Sequence, residues 1–93
     1  MDLGLKDKVV IVTGGAKGIG AGMVESFARE GAIVYSVNRP SEEGEALAKR
    51  LCTEGKDVTF VPAELNDPEE SRKVITRVLL ERGEIYCIMN NAG

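Results

Sequence analysis

The stretch KVVIVTGGAKGIG, Lys8 to Gly20, decides the fold. Lys8 to Thr13 holds a continuous apolar, β-branched run, the pattern of a strand covered on both faces and hence of a central parallel strand. From Gly18 to Glu30 the apolar residues change period: Ile19, Met23, Val24, Phe27 and Ala28 recur at helical spacing, and Gly31 follows as a stop. A strand that feeds through glycines straight into a helix N-terminus makes an anion site. Missing side chains let the backbone approach a pyrophosphate, and the unpaired N–H groups of the first turn favour negative charge. A plain tight turn would also use glycine, but the position directly after a buried strand favours the nucleotide reading.

Spacing narrows the ligand class. Gly14, Gly18 and Gly20 read G-x-x-x-G-x-G, not the common G-x-G-x-x-G fingerprint. A phosphate-loop NTPase is excluded, because its G-x-x-x-x-G-K-[ST] would put glycine where Ile19 stands, and Ala21 rather than lysine follows Gly20.

Outward from this stretch the same rhythm repeats. Ala32 to Val37 reads as a second strand. Pro40 and Ser41 then break the chain and offer an N-cap to a helix whose stripe is Ala46, Leu47, Ala48 and Leu51, ending near Gly55. Val58 to Val61 is a third strand. Asp67-Pro68-Glu69-Glu70 supplies an N-cap, a proline at the first helical position and a capping-box acid. The helix that follows is expected to bury Val74, Ile75, Val78, Leu79 and Leu80, with Arg82 at its negative end and Gly83 terminating it. Ile85 to Met89 is the fourth strand. The βαβαβαβ order predicts an α/β, Rossmann-like half: a parallel sheet with right-handed crossovers and strand order 3-2-1-4.

Ninety-three residues allow one small core, so residues 1–93 are expected to form a single, truncated dinucleotide-binding domain. Twelve Lys and Arg against fifteen Asp and Glu argue against a nucleic-acid binder. No apolar run approaches a bilayer span and the opening residues carry no signal-peptide core, so a cytoplasmic protein without membrane contact is expected. Cys52 and Cys87 are far apart and histidine is absent, so the composition points away from metal sites and from Ser-His or Cys-His nucleophiles. Both cysteines read as small apolar groups, one on a helix and one on a strand.

At the end of the second strand, where a carboxylate would meet the ribose 2′-hydroxyl of NAD, stand Asn38 and Arg39. Arg39 with Lys17 of the glycine loop can clamp a 2′-phosphate from two sides, which favours NADP over NAD.

Together these residues make the chain resemble the short-chain dehydrogenase/reductase family, whose cofactor-binding half carries T-G-x-x-x-G-x-G after the first strand and N-N-A-G after the fourth. Thr13 to Gly20 and Asn90 to Gly93 match both motifs. The opening, with Asp2-Leu3 running into KDKVVIVTGG, is also similar to that of L-fucose-type sugar dehydrogenases. The resemblance implies that Gly14, Gly18 and Ile19 face the pyrophosphate and nicotinamide side and that Lys17 with Arg39 marks NADP-preferring members. It also places Asn90, Ala92 and Gly93 beside the adenine-proximal ribose, and Glu64, with Leu65 beside it, where an aspartate usually receives the adenine amino group.

Catalysis in that family rests on a serine and a Tyr-x-x-x-Lys pair. Tyr35 is followed four residues on by Arg39 and Tyr86 by Asn90, and both tyrosines fall in expected strands, so no catalytic residue is assigned. The expectation is an NADP-binding half of a hydride-transferring oxidoreductase, inactive alone. A non-catalytic nucleotide-binding or self-assembling module is the alternative, with self-association through the open fourth-strand edge.

Overall fold

Strand β1 (Val9–Thr13) alternates its side chains between two cores, which is why its sequence is apolar throughout. Val10 and Val12 join one buried cluster, while Val9 and Ile11 join the other. The computed structural model describes residues 4–14, 18–64 and 66–91. Its remaining elements are α1 (Gly18–Arg29), β2 (Ile33–Asn38), α2 (Glu42–Thr53), β3 (Val58–Pro62), α3 (Pro68–Arg82) and β4 (Cys87–Asn90). All strand pairs are parallel, in the order β3-β2-β1-β4, as the sequence rhythm predicts. Central β1 lies in register with Ile33–Val37 on one side and with Cys87–Asn90 on the other.

Helices cover the two faces unequally. Val24 and Ala28 of α1 and Ala48 and Leu51 of α2 close the cluster around Val10, Val12, Val34 and Val58. On the reverse face, among the described helices, α3 alone covers Ile11, Tyr35, Val37 and Val61, through Val74 and Val78. Leu79 and Leu80 do not join that face, contrary to expectation: Leu79 is exposed and Leu80 is 82% exposed. Successive helical residues turn by about 100°, so a helix that buries Val74 and Val78 must swing the two leucines after Val78 outward.

Caps fix where helices begin and end. Ser41 Oγ accepts the Gly44 N–H at 3.1 Å, and Asp67 Oδ1 accepts that of Glu69 at 2.9 Å. The expected capping-box acid takes a different partner. Asp67 N–H is already bonded to the Glu64 carbonyl, so Glu70 Oε1 reaches past it to accept the Glu64 N–H at 2.8 Å. Across the far end of the first layer, Arg29 and Arg50 share Glu25 and Glu54, joining α1 to α2 with the tightest pair, Arg50 to Glu25, at 2.8 Å.

Strand β4 starts two residues later than the apolar run Ile85 to Met89 suggests, because its ladder with β1 opens at Val10 opposite Cys87. It is an edge strand. Tyr86 is 57% and Ile88 50% exposed, and Ile88 lies opposite Ile11 on the side that α3 only partly covers. Cys87 is half-buried, whereas Cys52 is exposed on α2 rather than packed as an apolar group, its thiol donating to the Val58 carbonyl at 3.0 Å. Among the described residues no helix is long and apolar enough to cross a membrane, and none form a metal-binding cluster of His, Cys, Asp or Glu.

Candidate dinucleotide-binding site

Parallel strands end together, and the carboxyl ends of β1, β2, β3 and β4 set Gly14, Asn38-Arg39, Glu64 and Asn90 along one rim. Gly14 continues the ladder beyond Thr13, its N–H bonding the Val37 carbonyl at 2.8 Å, and then turns away with φ of 68°. Gly18 opens α1 at φ of 63°. A β-carbon there would meet nothing within 4 Å among the described residues, so glycine answers the backbone angle. No acidic residue occupies the first turn of α1, leaving its positive end uncontested. A helix N-terminus whose first turn carries no acidic residue suits a diphosphate chemically.

Gly20 is buried, whereas Ile19 is largely exposed beside it. Lys17, Leu65, Ala92 and Gly93 lie outside the described residues.

At the β2–β3 end of the rim the structure brings two expected site residues into contact: Arg39 Nε stands 2.8 Å from Glu64 Oε2. Their backbones are fixed. Asn38 Oδ1 accepts the Arg39 N–H at 2.9 Å, and the Asn38 carbonyl accepts the Ala63 N–H at 2.8 Å, tying the ends of β2 and β3. Glu64 Oε1 accepts the Asn66 N–H at 3.3 Å, and Glu70 holds the Glu64 N–H as described.

The opposite half is held by Thr13, a residue that the sequence reading placed in a motif without giving it a role. Its hydroxyl approaches Asn90 Oδ1 at 3.0 Å and accepts the Asn91 N–H at 3.2 Å, locking the end of β4 against β1. Glu70 is the other residue missed. Its helical position beside Asp67 points to capping, and only the loop's fold redirects it to Glu64.

Tyr35 stands apart from this rim. Fully buried on β2, it donates its hydroxyl to Glu81 Oε1 at 2.5 Å and accepts from Arg82 Nε at 3.1 Å, at the C-terminal end of α3. Burial, then the Glu81 carboxylate, pushes its pKa above the ordinary tyrosine value. The hydroxyl is thus held protonated in a structural contact.

The profile of the short chain dehydrogenase family matches residues 8–93. The chain belongs to that family. As a short-chain dehydrogenase chain it is similar to L-fucose dehydrogenase of Bos taurus, with 36% identity over 92% of this chain and 30% of the relative. It is likewise similar to L-rhamnose-1-dehydrogenase of Scheffersomyces stipitis, with 39% identity over 96% of this chain and 36% of the relative. A solved short-chain dehydrogenase/reductase of Serratia marcescens superposes with a TM-score of 0.89 at 33% identity, covering 96% of this chain and 37% of that one. The chain therefore spans about a third of the length of the curated relatives it matches. Short-chain dehydrogenases use NAD or NADP as cofactor.

Proposed function

We propose that this chain binds NADP(H), serving as the cofactor-holding, N-terminal part of a short-chain oxidoreductase that moves a hydride between nicotinamide and an alcohol or carbonyl substrate. The observation that carries this reading is the glycine turn between a strand buried on both faces and the acid-free N-terminus of α1. Residues 14 and 18 to 20 would receive the diphosphate. Lys17 and Arg39 would hold the 2′-phosphate, with Asn38 orienting the backbone of Arg39. Glu64 with Leu65 would border the adenine, and Asn90, Ala92 and Gly93 the adjacent ribose. The bound cofactor would supply the hydride, while these residues bind and orient it.

Neither tyrosine is assigned as a proton relay: Tyr35 is bonded to Glu81 and Arg82, and Tyr86 leads to Asn90 rather than to a lysine. Turnover by these 93 residues alone is therefore not expected, and the protein is read as working in the cytoplasm. Titration with NADPH and NADH tests the binding. Tighter NADPH binding supports the reading, equal affinity removes the 2′-phosphate assignment, and no binding of either overturns it.

A second reading, a self-assembling module, is favoured by one observation. Strand β4 pairs only with β1 among the described strands and exposes Ile88, with exposed Tyr86 just before it. A second copy of the chain can satisfy both the open ladder and the apolar side chains by pairing edge to edge.

A further inference from the structure

We propose that Glu64 sets cofactor choice by competing with the 2′-phosphate for Arg39. This rests on the NADP-binding reading above and deepens it. The Arg39–Glu64 pair, 2.8 Å apart, sits on the rim with both side chains open to solvent, Arg39 68% and Glu64 41% exposed. Asn38 fixes the backbone from which Arg39 departs. Glu64 is held at both ends, its N–H by Glu70 and one carboxylate oxygen by the Asn66 N–H, so that the other oxygen faces the guanidinium.

Carboxylate and phosphate are both oxyanions that suit the planar guanidinium fork, and a dianion brought to Arg39 is repelled by the carboxylate already there. A 2′-phosphate must displace or share that partner. A ribose 2′-hydroxyl makes no such demand and leaves the pair intact. Glu64 therefore narrows the advantage that Arg39 gives to the phosphorylated cofactor. An exposed ion pair is weak, so the competition changes selectivity by a small factor instead of abolishing binding.

The test compares 2′,5′-ADP with 5′-ADP by calorimetric titration of the full chain and of Glu64→Gln, which keeps an oxygen for the Asn66 N–H and for an adenine amino group but removes the charge. The expected result is a rise of about two- to fivefold in preference for 2′,5′-ADP at low ionic strength, shrinking in high salt. That rise should vanish in an Arg39→Ala background. Far-UV circular dichroism checks the fold, and Glu64→Ser must move the preference in the same direction. An unchanged or lowered preference, or an equal rise without Arg39, overturns the competition while leaving the NADP reading standing. Failure of the wild-type chain to bind either nucleotide overturns both.

Discussion

Gly44 in the first turn of α2 lies against the ring of Phe60 on β3 so closely that a β-carbon on it would sit 2.4 Å from Cε1 and 2.9 Å from Cδ1. The helix meets the sheet at this point with no room for a methyl group. Alanine would gain helix propensity, about 1 kcal/mol in a helix interior and less at a first turn, but would force the ring aside at about 1–3 kcal/mol. Gly44→Ala is therefore expected to destabilise the fold by about 1 kcal/mol, and Phe60→Leu should recover part of the loss. Urea unfolding of both variants and their combination measures it.

Arg39→Ala should weaken NADPH binding about tenfold, the loss of one charge-assisted contact near 1.4 kcal/mol, and leave NADH nearly unchanged. Lys17→Ala should act in the same direction. Parallel titrations check both; an equal loss for the two cofactors would show that these cations do not read the 2′-phosphate.

Stability should fall at both ends of the pH range, for opposite reasons. The Tyr35 pKa is raised in the folded chain, chiefly by burial and then by Glu81, so the folded state keeps its proton longer than the unfolded one. Its contribution is complete below the ordinary value of about 10 and is lost as pH climbs past it. Glu25 and Glu81 are shifted the other way, Glu25 chiefly by Arg50 and Glu81 chiefly by the Tyr35 hydroxyl. Their contribution is present above the ordinary carboxylate value of about 4.3 and fades as pH drops through their lower folded values. Tyr35→Phe should cost about 1 kcal/mol at neutral pH and flatten the alkaline limb, as thermal melts across pH will reveal.

Ser36 is fully buried in β2 and its hydroxyl finds no hydrogen-bond partner among the described residues. A buried hydroxyl of this kind is costly, so Ser36→Ala should raise stability by up to about 1 kcal/mol. Denaturant midpoints compare the two proteins, and a loss of stability would reveal a bond that the hydroxyl makes.

Exposed Ile88 on the β4 edge and Tyr86 just before it lead to an expected dimer or larger assembly at micromolar concentration. Ile88→Lys should shift it toward monomer, since charge on an edge strand opposes pairing. Light scattering decides, and a monodisperse wild-type monomer removes the self-assembling alternative.

Elements whose signals are local were legible in the sequence. The unbroken apolar run at β1 and the Ser41 and Asp67 caps each act within a few residues, and the structure places them as read. Leu79 and Leu80 were misread because composition favours burial, while helical rotation, fixed by Val74 and Val78, turns them to solvent. The Arg39–Glu64 contact and the diverted Glu70 carry no sequence signal, since each needs the ends of β2, β3 and α3 already folded together.

Helix α3 is moored at both ends: Glu70 grips the loop that carries Glu64, while Glu81 and Arg82 grip Tyr35, and Arg82 also reaches Asp57 at 3.3 Å. It behaves as a strut. One helix thus ties the loop bearing Glu64 and the buried tyrosine of β2 to the same body, so detachment of α3 from the sheet would release both anchorages together.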